Sequence, residues 1–282
     1  MFFIANHPIY NHPLPEGHRF PMLKYELLPK QLLHEGTAEC TDFYSPDSID
    51  LSLVHAVHTV SYVKALTELT LDAKAVRSIG FPLSAALVER ELRIAQGTVV
   101  GCNHALENGI AFNIAGGTHH AFSDRGEAFC LLNDQAIAAQ YLINQKKCHK
   151  ILIVDLDVHQ GNGTAEIFQN NADVITFSMH GQSNYPFRKE TSDYDIALPD
   201  KTDDTTYLSI LQETLPELLN IHRPDFVFYL AGVDILGTDK LGKLGCTLEG
   251  CKARDSYVLG LCKSLGIPVQ VSMGGGYSPA IK

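Results

Sequence analysis

From residue 111 onward, short apolar runs alternate with stretches of helical periodicity, the signature of βαβ units and a mostly parallel sheet. The runs predict strands over 111–115, 151–156, 174–179, 226–231 and 269–273. Between them the 3.6-residue repeat predicts helices over 131–144, 163–169, 205–221 and 248–265. Thr247 would cap the last of these, and Gly266 and Pro268 would end it. Right-handed crossovers would place the helices on both faces of the sheet. The first hundred residues are less regular: an edge strand is expected over 2–5 and helices over 25–34, 59–69 and 85–95. Residues 6–21 hold three His and four Pro, which predicts a surface loop bordering a pocket.

Composition narrows the picture. The 282 residues are 45% hydrophobic, with no charge block, linker or repeat, so one compact α/β domain is expected. Lys and Arg number 22 against 32 Asp and Glu, and the net charge of −10 argues against a broad phosphate-binding face and so against nucleic acid. It suits a cationic substrate, or simply solubility. Seven cysteines, none in a Cys-x-x-Cys spacing and most inside apolar patterns, predict reduced thiols. The N-terminal apolar run is too short for a signal peptide and no stretch reaches the ~20 apolar residues of a membrane span, so a cytoplasmic protein is expected.

Four predicted strands end in residues that a core strand does not carry. One runs into Gly116-Gly117-Thr118-His119-His120, one into Asp155, Asp157 and His159, one into Gly232-Val233-Asp234, and one into Gly274-Gly275-Gly276-Tyr277. In an open parallel sheet, strand carboxyl ends share one edge, where ligands bind. Each cluster also has a plainer explanation. The His pair could be surface decoration, Asp234 a helix cap, the glycines a turn or a phosphate cradle lacking the lysine of a P-loop, and Asp155 with Asp157 a solvated loop. Alternation along 155–159 would set Asp155, Asp157 and His159 on one face. Oxygen and nitrogen donors crowded there suit a divalent cation such as zinc. The conjunction of all four on one rim favours a site.

These residues, in this order, resemble the zinc-dependent histone deacetylase family of the arginase/deacetylase superfamily. The matching pieces are AGGTHHA (115–121), FCLLND (129–134), DLDVHQGNGT (155–164), AGVD (231–234) and GGGY (274–277), with HRFPM (18–22) near the start. The resemblance covers the chain from about residue 5 to its end, and DVHQGNGT with YPFRKETSDYDIALPD is similar to the class IV type and its bacterial relatives. It implies the arginase/deacetylase fold, a single catalytic domain, and removal of an acetyl or other acyl group from lysine side chains by attack of metal-bound water. Asp157, His159 and Asp234 would hold zinc, or iron(II). His120 would be the general base, His119 its electrostatic partner, Asp155 the orienter of His119, and Asn162 the amide standing where class I members carry a second orienting carboxylate. Tyr277 would donate its hydroxyl to the substrate carbonyl.

The resemblance further implies an acyl-lysine tunnel walled by Phe129 and Tyr185 with Leu241 at its lip; packing in the core is the other reading of Phe129. A K+ or Na+ ion would be bound through Asp155, Asp157, His159, Ser178 and Met179. Arg19 would lie beneath the site, or else form a salt bridge within the fold. Ala128, where many relatives carry Gly, would narrow the passage. The chain stops five residues after Tyr277, which implies a shortened C-terminus and a loosely held Tyr277 loop. Acetylpolyamines are the alternative substrate class. An arginase-like dinuclear ureohydrolase would need additional Asp and His ligands that are not evident, and a catalytically silent binding module would not need the intact set of polar residues.

Overall fold

A computed structural model describes residues 2–279. Eight strands form one sheet: β1 (Ile4–Ala5), β2 (Phe43–Tyr44), β3 (Ile110–Asn113), β4 (Ile151–Asp155), β5 (Val174–Gly181), β6 (Tyr194–Leu198), β7 (Phe226–Leu230) and β8 (Val269–Ser272). Their order is β2-β1-β3-β8-β7-β4-β5-β6, with every pairing parallel. The helices are α1 (Lys24–His34), α2 (Leu51–Val54), α3 (Val60–Thr67), α4 (Ala73–Ile79), α5 (Ala85–Asn108), α6 (Asp134–Asn144), α7 (Asn162–Phe168), α8 (Asp204–His222) and α9 (Leu248–Leu265). The expected parallel α/β architecture is therefore the one found. The four strands with polar ends, β3, β8, β7 and β4, are contiguous at the centre of the sheet.

The core explains why β4 and β7 read as unbroken apolar runs. Ile151, Ile153, Phe226 and Phe228 pack into a layer with α5 and α6, whereas Leu152, Val154, Val227 and Tyr229 pack on the other face with α8 and α9. A parallel strand covered on both sides must be apolar at every position. Burying each of these side chains contributes about 1.5–3 kcal/mol. The cysteines are all free, and six of the seven are buried. Among the described residues no helix is long and apolar enough to cross a membrane.

Several expectations are corrected. The first strand is not at the edge, because β1 lies between β2 and β3. Helix α5 runs on to Asn108, well past the expected end at residue 95. Glycines and buried polar groups in its middle hide the apolar stripe: a Cβ at Gly97 would come within 2.9 Å of Ala5, so glycine there lets helix and sheet approach. Arg90 and Glu91 form a buried ion pair inside the same helix. Strand β6 was not expected, since it is an edge strand with polar alternate positions. Residues 6–21 are not a simple surface loop. They contain a 3-10 turn at Pro8–Tyr10, and Tyr10, His12 and Phe20 are buried.

Candidate metal centre

Strand β4 pairs with β7 and β5 as far as Asp155, opposite Leu230 and Ser178, and there the ladder ends. Consecutive Asx turns then coil the chain: Asp157 N donates to Asp155 Oδ1 at 3.1 Å and His159 N to Asp157 Oδ1 at 3.0 Å. This turn, rather than strand alternation, brings Asp157 and His159 together. Asp234 arrives from the end of β7, its Oδ1 accepting from Val158 N at 3.0 Å. His159 Nδ1 lies 3.0 Å from Asp157 Oδ1 and 3.2 Å from Asp234 Oδ2. One donor atom from each of Asp157, His159 and Asp234 falls within 4.8 Å of the others, and all three residues are buried.

The electrostatics of this cluster call for a cation. Asp234 Oδ2 is buried and has no hydrogen-bond partner. Burial, reinforced by the Asp157 charge, pushes the Asp234 carboxyl up to about 6. Burial would lower His159, but its hydrogen bond to Asp157 and the nearby Asp234 charge outweigh that and raise it to about 10. The imidazole is thus drawn into the role of counter-charge for two desolvated carboxylates. A divalent ion with oxygen and nitrogen preference fits the same donors, with His159 as a neutral ligand through Nδ1.

Beside the cluster stand two imidazoles. Strand β3 leads into Gly116 and Gly117, whose loop is gathered by the buried Asp134 at the start of α6. Its Oδ1 accepts from Gly117 N at 2.8 Å and Thr118 N at 2.9 Å, and its Oδ2 from Thr98 Oγ1 at 2.7 Å. Gly117 has φ +94°, a conformation that glycine adopts without strain. His119 Nδ1 then meets Asp155 Oδ2 at 2.7 Å, and His120 Nδ1 meets Asn162 Oδ1 at 2.6 Å. The glycines of the GNG run leave space for these contacts: a Cβ at Gly163 would strike Ala121 O at 2.2 Å. The rings of His119 and His120 are 4.1 Å apart, and those of His120 and His159 are 5.9 Å apart.

Environment drives the pair in opposite directions. Burial opposes charge on His119, yet Asp155 and Asp157 overcome it and raise its pKa. For His120, burial and the neighbouring His119 and His159 depress it well below the usual imidazole range, and the Asn162 amide compensates little. Two titratable groups pushed apart in this way are suited to separate electrostatic and base roles.

The loop carrying Tyr277 is not loosely held. Gly274 N donates to Gly116 O at 3.1 Å, Gly275 N to Asp157 Oδ2 at 2.7 Å, and Tyr277 N to Asp239 Oδ2 at 2.6 Å. The Tyr277 ring points inward, 6.2 Å from His159 and 6.2 Å from Phe129. Burial and the two cluster carboxylates hold its phenol well above the ordinary value, so it remains a hydrogen-bond donor. Arg19 does not lie beneath the site: it is exposed, with its guanidinium 5.0 Å from the Phe129 ring centre. The cation that reaches the glycine loop is Lys24, not singled out from the sequence, whose Nζ donates to Gly274 O at 3.3 Å. Burial pushes its ammonium down to about 8 against the pull of Asp234 and Asp157.

A cavity of about 40 Å³ touches His120, Asp157 and Tyr277 and is walled by Phe20, Tyr25 and Phe129. Phe129 packs against Phe20 at 5.1 Å, so it is both wall and core. Tyr185 and Leu241 are not among the residues lining this cavity. Tyr185 stands edge-on to His120 at 5.0 Å, with its hydroxyl on Glu127 Oε2 at 2.5 Å. Leu241 is tied to that loop through Asn184 Nδ2, which donates to its carbonyl at 2.7 Å. Ala128, with φ +43°, lines the cavity. On the far side of Asp155, the β4–β5 register places Ser178 opposite it and Met179 next along the strand.

The sequence profile described as Histone deacetylase domain matches residues 18–281. An uncharacterized protein of Picosynechococcus sp. is 47% identical over 280 residues, covering 99% of this chain and 93% of its own length. Histone deacetylase 2 of Arabidopsis thaliana is 28% identical over 271 residues, 92% of this chain and 70% of that protein. The crystal structure of an HDAC homolog from Aquifex aeolicus superposes with a TM-score of 0.85 at 24% identity, over 99% of this chain and 79% of the other, which establishes the shared fold.

Proposed function

The chain belongs to the histone deacetylase domain family, and from that premise we propose that it is a metal-dependent amidohydrolase that removes an acetyl group from lysine side chains. The observation that carries the reading is the pair of oppositely poised imidazoles, His119 and His120, beside a buried Asp157, His159 and Asp234 cluster with one orphaned carboxylate oxygen. Zinc, or iron(II), on that cluster would supply Lewis acidity toward the acyl carbonyl and toward water. His120, uncharged at neutral pH, takes the proton of the attacking water and returns it to the leaving amine. His119, held by Asp155, stabilises the developing negative charge without itself leaving its place. Tyr277 donates its hydroxyl to the carbonyl oxygen as it becomes tetrahedral, an interaction strongest in the transition state.

The cavity touching His120, Asp157 and Tyr277 is where the acyl group would sit. Asp155, Asp157, His159, Ser178 and Met179 are the residues through which a monovalent cation would brace the same turn. Acetylpolyamines are the second reading, supported by the net charge of −10. The deciding assay loads purified protein with zinc and follows amine release from acyl-lysine peptides and from acetylated polyamines. Release from the peptides is expected. Stoichiometric zinc with no amine from either set would sink the hydrolase reading, and release from polyamines alone would replace the lysine substrate.

A further inference from the structure

The carboxylates of the proposed metal site sit on two separate turns, and the sheet does not hold those turns together. The last ladder bonds there are Leu156 N to Leu230 O at 3.1 Å and Ala231 N to Ser272 O at 3.0 Å. Past them, the carbonyls of Leu156, Ala231 and Gly232 meet a side chain of α9. Buried carbonyls need partners. One side chain supplies them all. Arg254 of α9, itself 0% exposed, donates from Nη1 to Leu156 O at 3.1 Å and to Gly232 O at 2.6 Å, and from Nη2 to Ala231 O at 3.3 Å. Its Nε donates to Asp255 Oδ1 at 2.9 Å, and Asp255 also accepts from the Tyr229 hydroxyl at 2.5 Å. The planar guanidinium is therefore anchored from below and used as a rigid fork above.

The positions it grips adjoin the cluster. Leu156 immediately precedes Asp157, and Gly232 lies two residues before Asp234. Gly232 also abuts Asp157 directly, since a Cβ there would come within 2.4 Å of its Oδ2. We propose that Arg254 is a positioning residue for the metal site: by crosslinking the turn after β4 to the turn after β7, it sets the spacing of Asp157 and Asp234 before a cation arrives. The proposal rests on the reading of that cluster as a metal site. Partners behind metal ligands commonly contribute 10–100-fold to affinity by fixing ligand orientation.

Three variants test it: Arg254→Met, which keeps length without donors; Arg254→Lys, which keeps charge without the fork; and Leu215→Ala, which opens a cavity in the same core layer from α8. Zinc affinity is read by chelator competition on protein shown to be folded by circular dichroism, and ligand geometry by the visible spectrum of the cobalt(II) form. Arg254→Met is expected to bind zinc about 10–100-fold more weakly with an altered cobalt spectrum, Arg254→Lys to fall between it and wild type, and Leu215→Ala to lose thermal stability with zinc affinity within about twofold of wild type. The proposal is overturned if folded Arg254→Met keeps wild-type affinity and spectrum, or if Leu215→Ala weakens zinc as much for the same loss of stability. Should Arg254→Met not fold, Arg254→Lys decides by the same two readouts. Wild type that binds no zinc overturns the metal reading itself, whereas wild type that binds zinc beside an unmoved Arg254 variant overturns the positioning role alone.

Discussion

Lowering the pH should open the protein at His58 before most of its core is affected. This residue is 1% exposed, and its two ring nitrogens have fixed partners. Nδ1 lies 2.9 Å from Phe122 O, which can only accept, and Nε2 lies 3.0 Å from Asn133 N, which can only donate. The neutral Nδ1–H tautomer satisfies both, and a proton on Nε2 would confront the Asn133 amide. Burial, partly offset by the Phe122 and Ser123 carbonyls, lowers the folded pKa from 6.5 to about 4. Because the unfolded chain binds the proton more readily, stability falls as pH drops through 6.5 and the loss levels off below the folded value near 4. That 2.5-unit gap corresponds to about 3 kcal/mol in full, of which roughly 2.5 kcal/mol is lost between about pH 7 and pH 4.5. The segment affected bears on the site, since Phe122 follows the His119 and His120 loop and Asn133 caps α6. Urea unfolding of zinc-free protein at both pH values, for wild type and His58→Gln, isolates the effect from the carboxylates common to both. The glutamine retains an uncharged acceptor for Asn133 and removes the titration. If the two proteins lose stability in parallel, within about 0.5 kcal/mol, the reasoning is refuted.

Other substitutions probe the site directly. Tyr277→Phe should lower kcat by about 10²–10³-fold while zinc stoichiometry stays unchanged; a variant turning over at the wild-type rate would remove the hydroxyl from the mechanism. Gly275→Ala would place a methyl 2.0 Å from Asp234 Oδ2 and 2.7 Å from Asp157 Oδ2, so zinc binding should be lost by calorimetry. Gly260→Ala in α9, which meets open space, should instead raise stability by roughly 0.5–1 kcal/mol. Asn162→Asp sets a carboxylate on His120 Nδ1, and an adjacent opposite charge raises a pKa by about 1–3 units. The acid limb of the kcat/KM profile should then move to higher pH, because the base must be unprotonated to work, and an unmoved limb would take His120 out of that role.

Much of the fold was readable because burial on both faces leaves a plain mark. The runs at β3, β4, β5, β7 and β8 and the capped α9 all emerge within two residues of their observed ends. Elements whose residues serve packing in unusual ways were not readable. The glycines of α5 look like breakers until the sheet is seen pressed against them, and β6 looks like loop because only its edge position tolerates its polar residues. At the site, the strand-end residues and their resemblance to a family named the polar groups in advance. The sequence assigns no role to Lys24, Arg254 or the Asp134 of FCLLND, since a charged residue in or near a helix ordinarily marks a solvated face.

What the sequence by itself determined is the chemistry of the rim: which strands end in carboxylate, imidazole, phenol or glycine, at positions that alternation and turn residues make legible locally. What only the tertiary structure decided is which of those groups meet. Asp157 and Asp234 are far apart along the chain and become neighbours because β4 pairs with β7, and His119 reaches Asp155 because Asp134 gathers its loop. The desolvation that raises one imidazole, lowers another and orphans a carboxylate oxygen is a property of the packed interior, where charge must find a partner at short range. No local pattern carries that information.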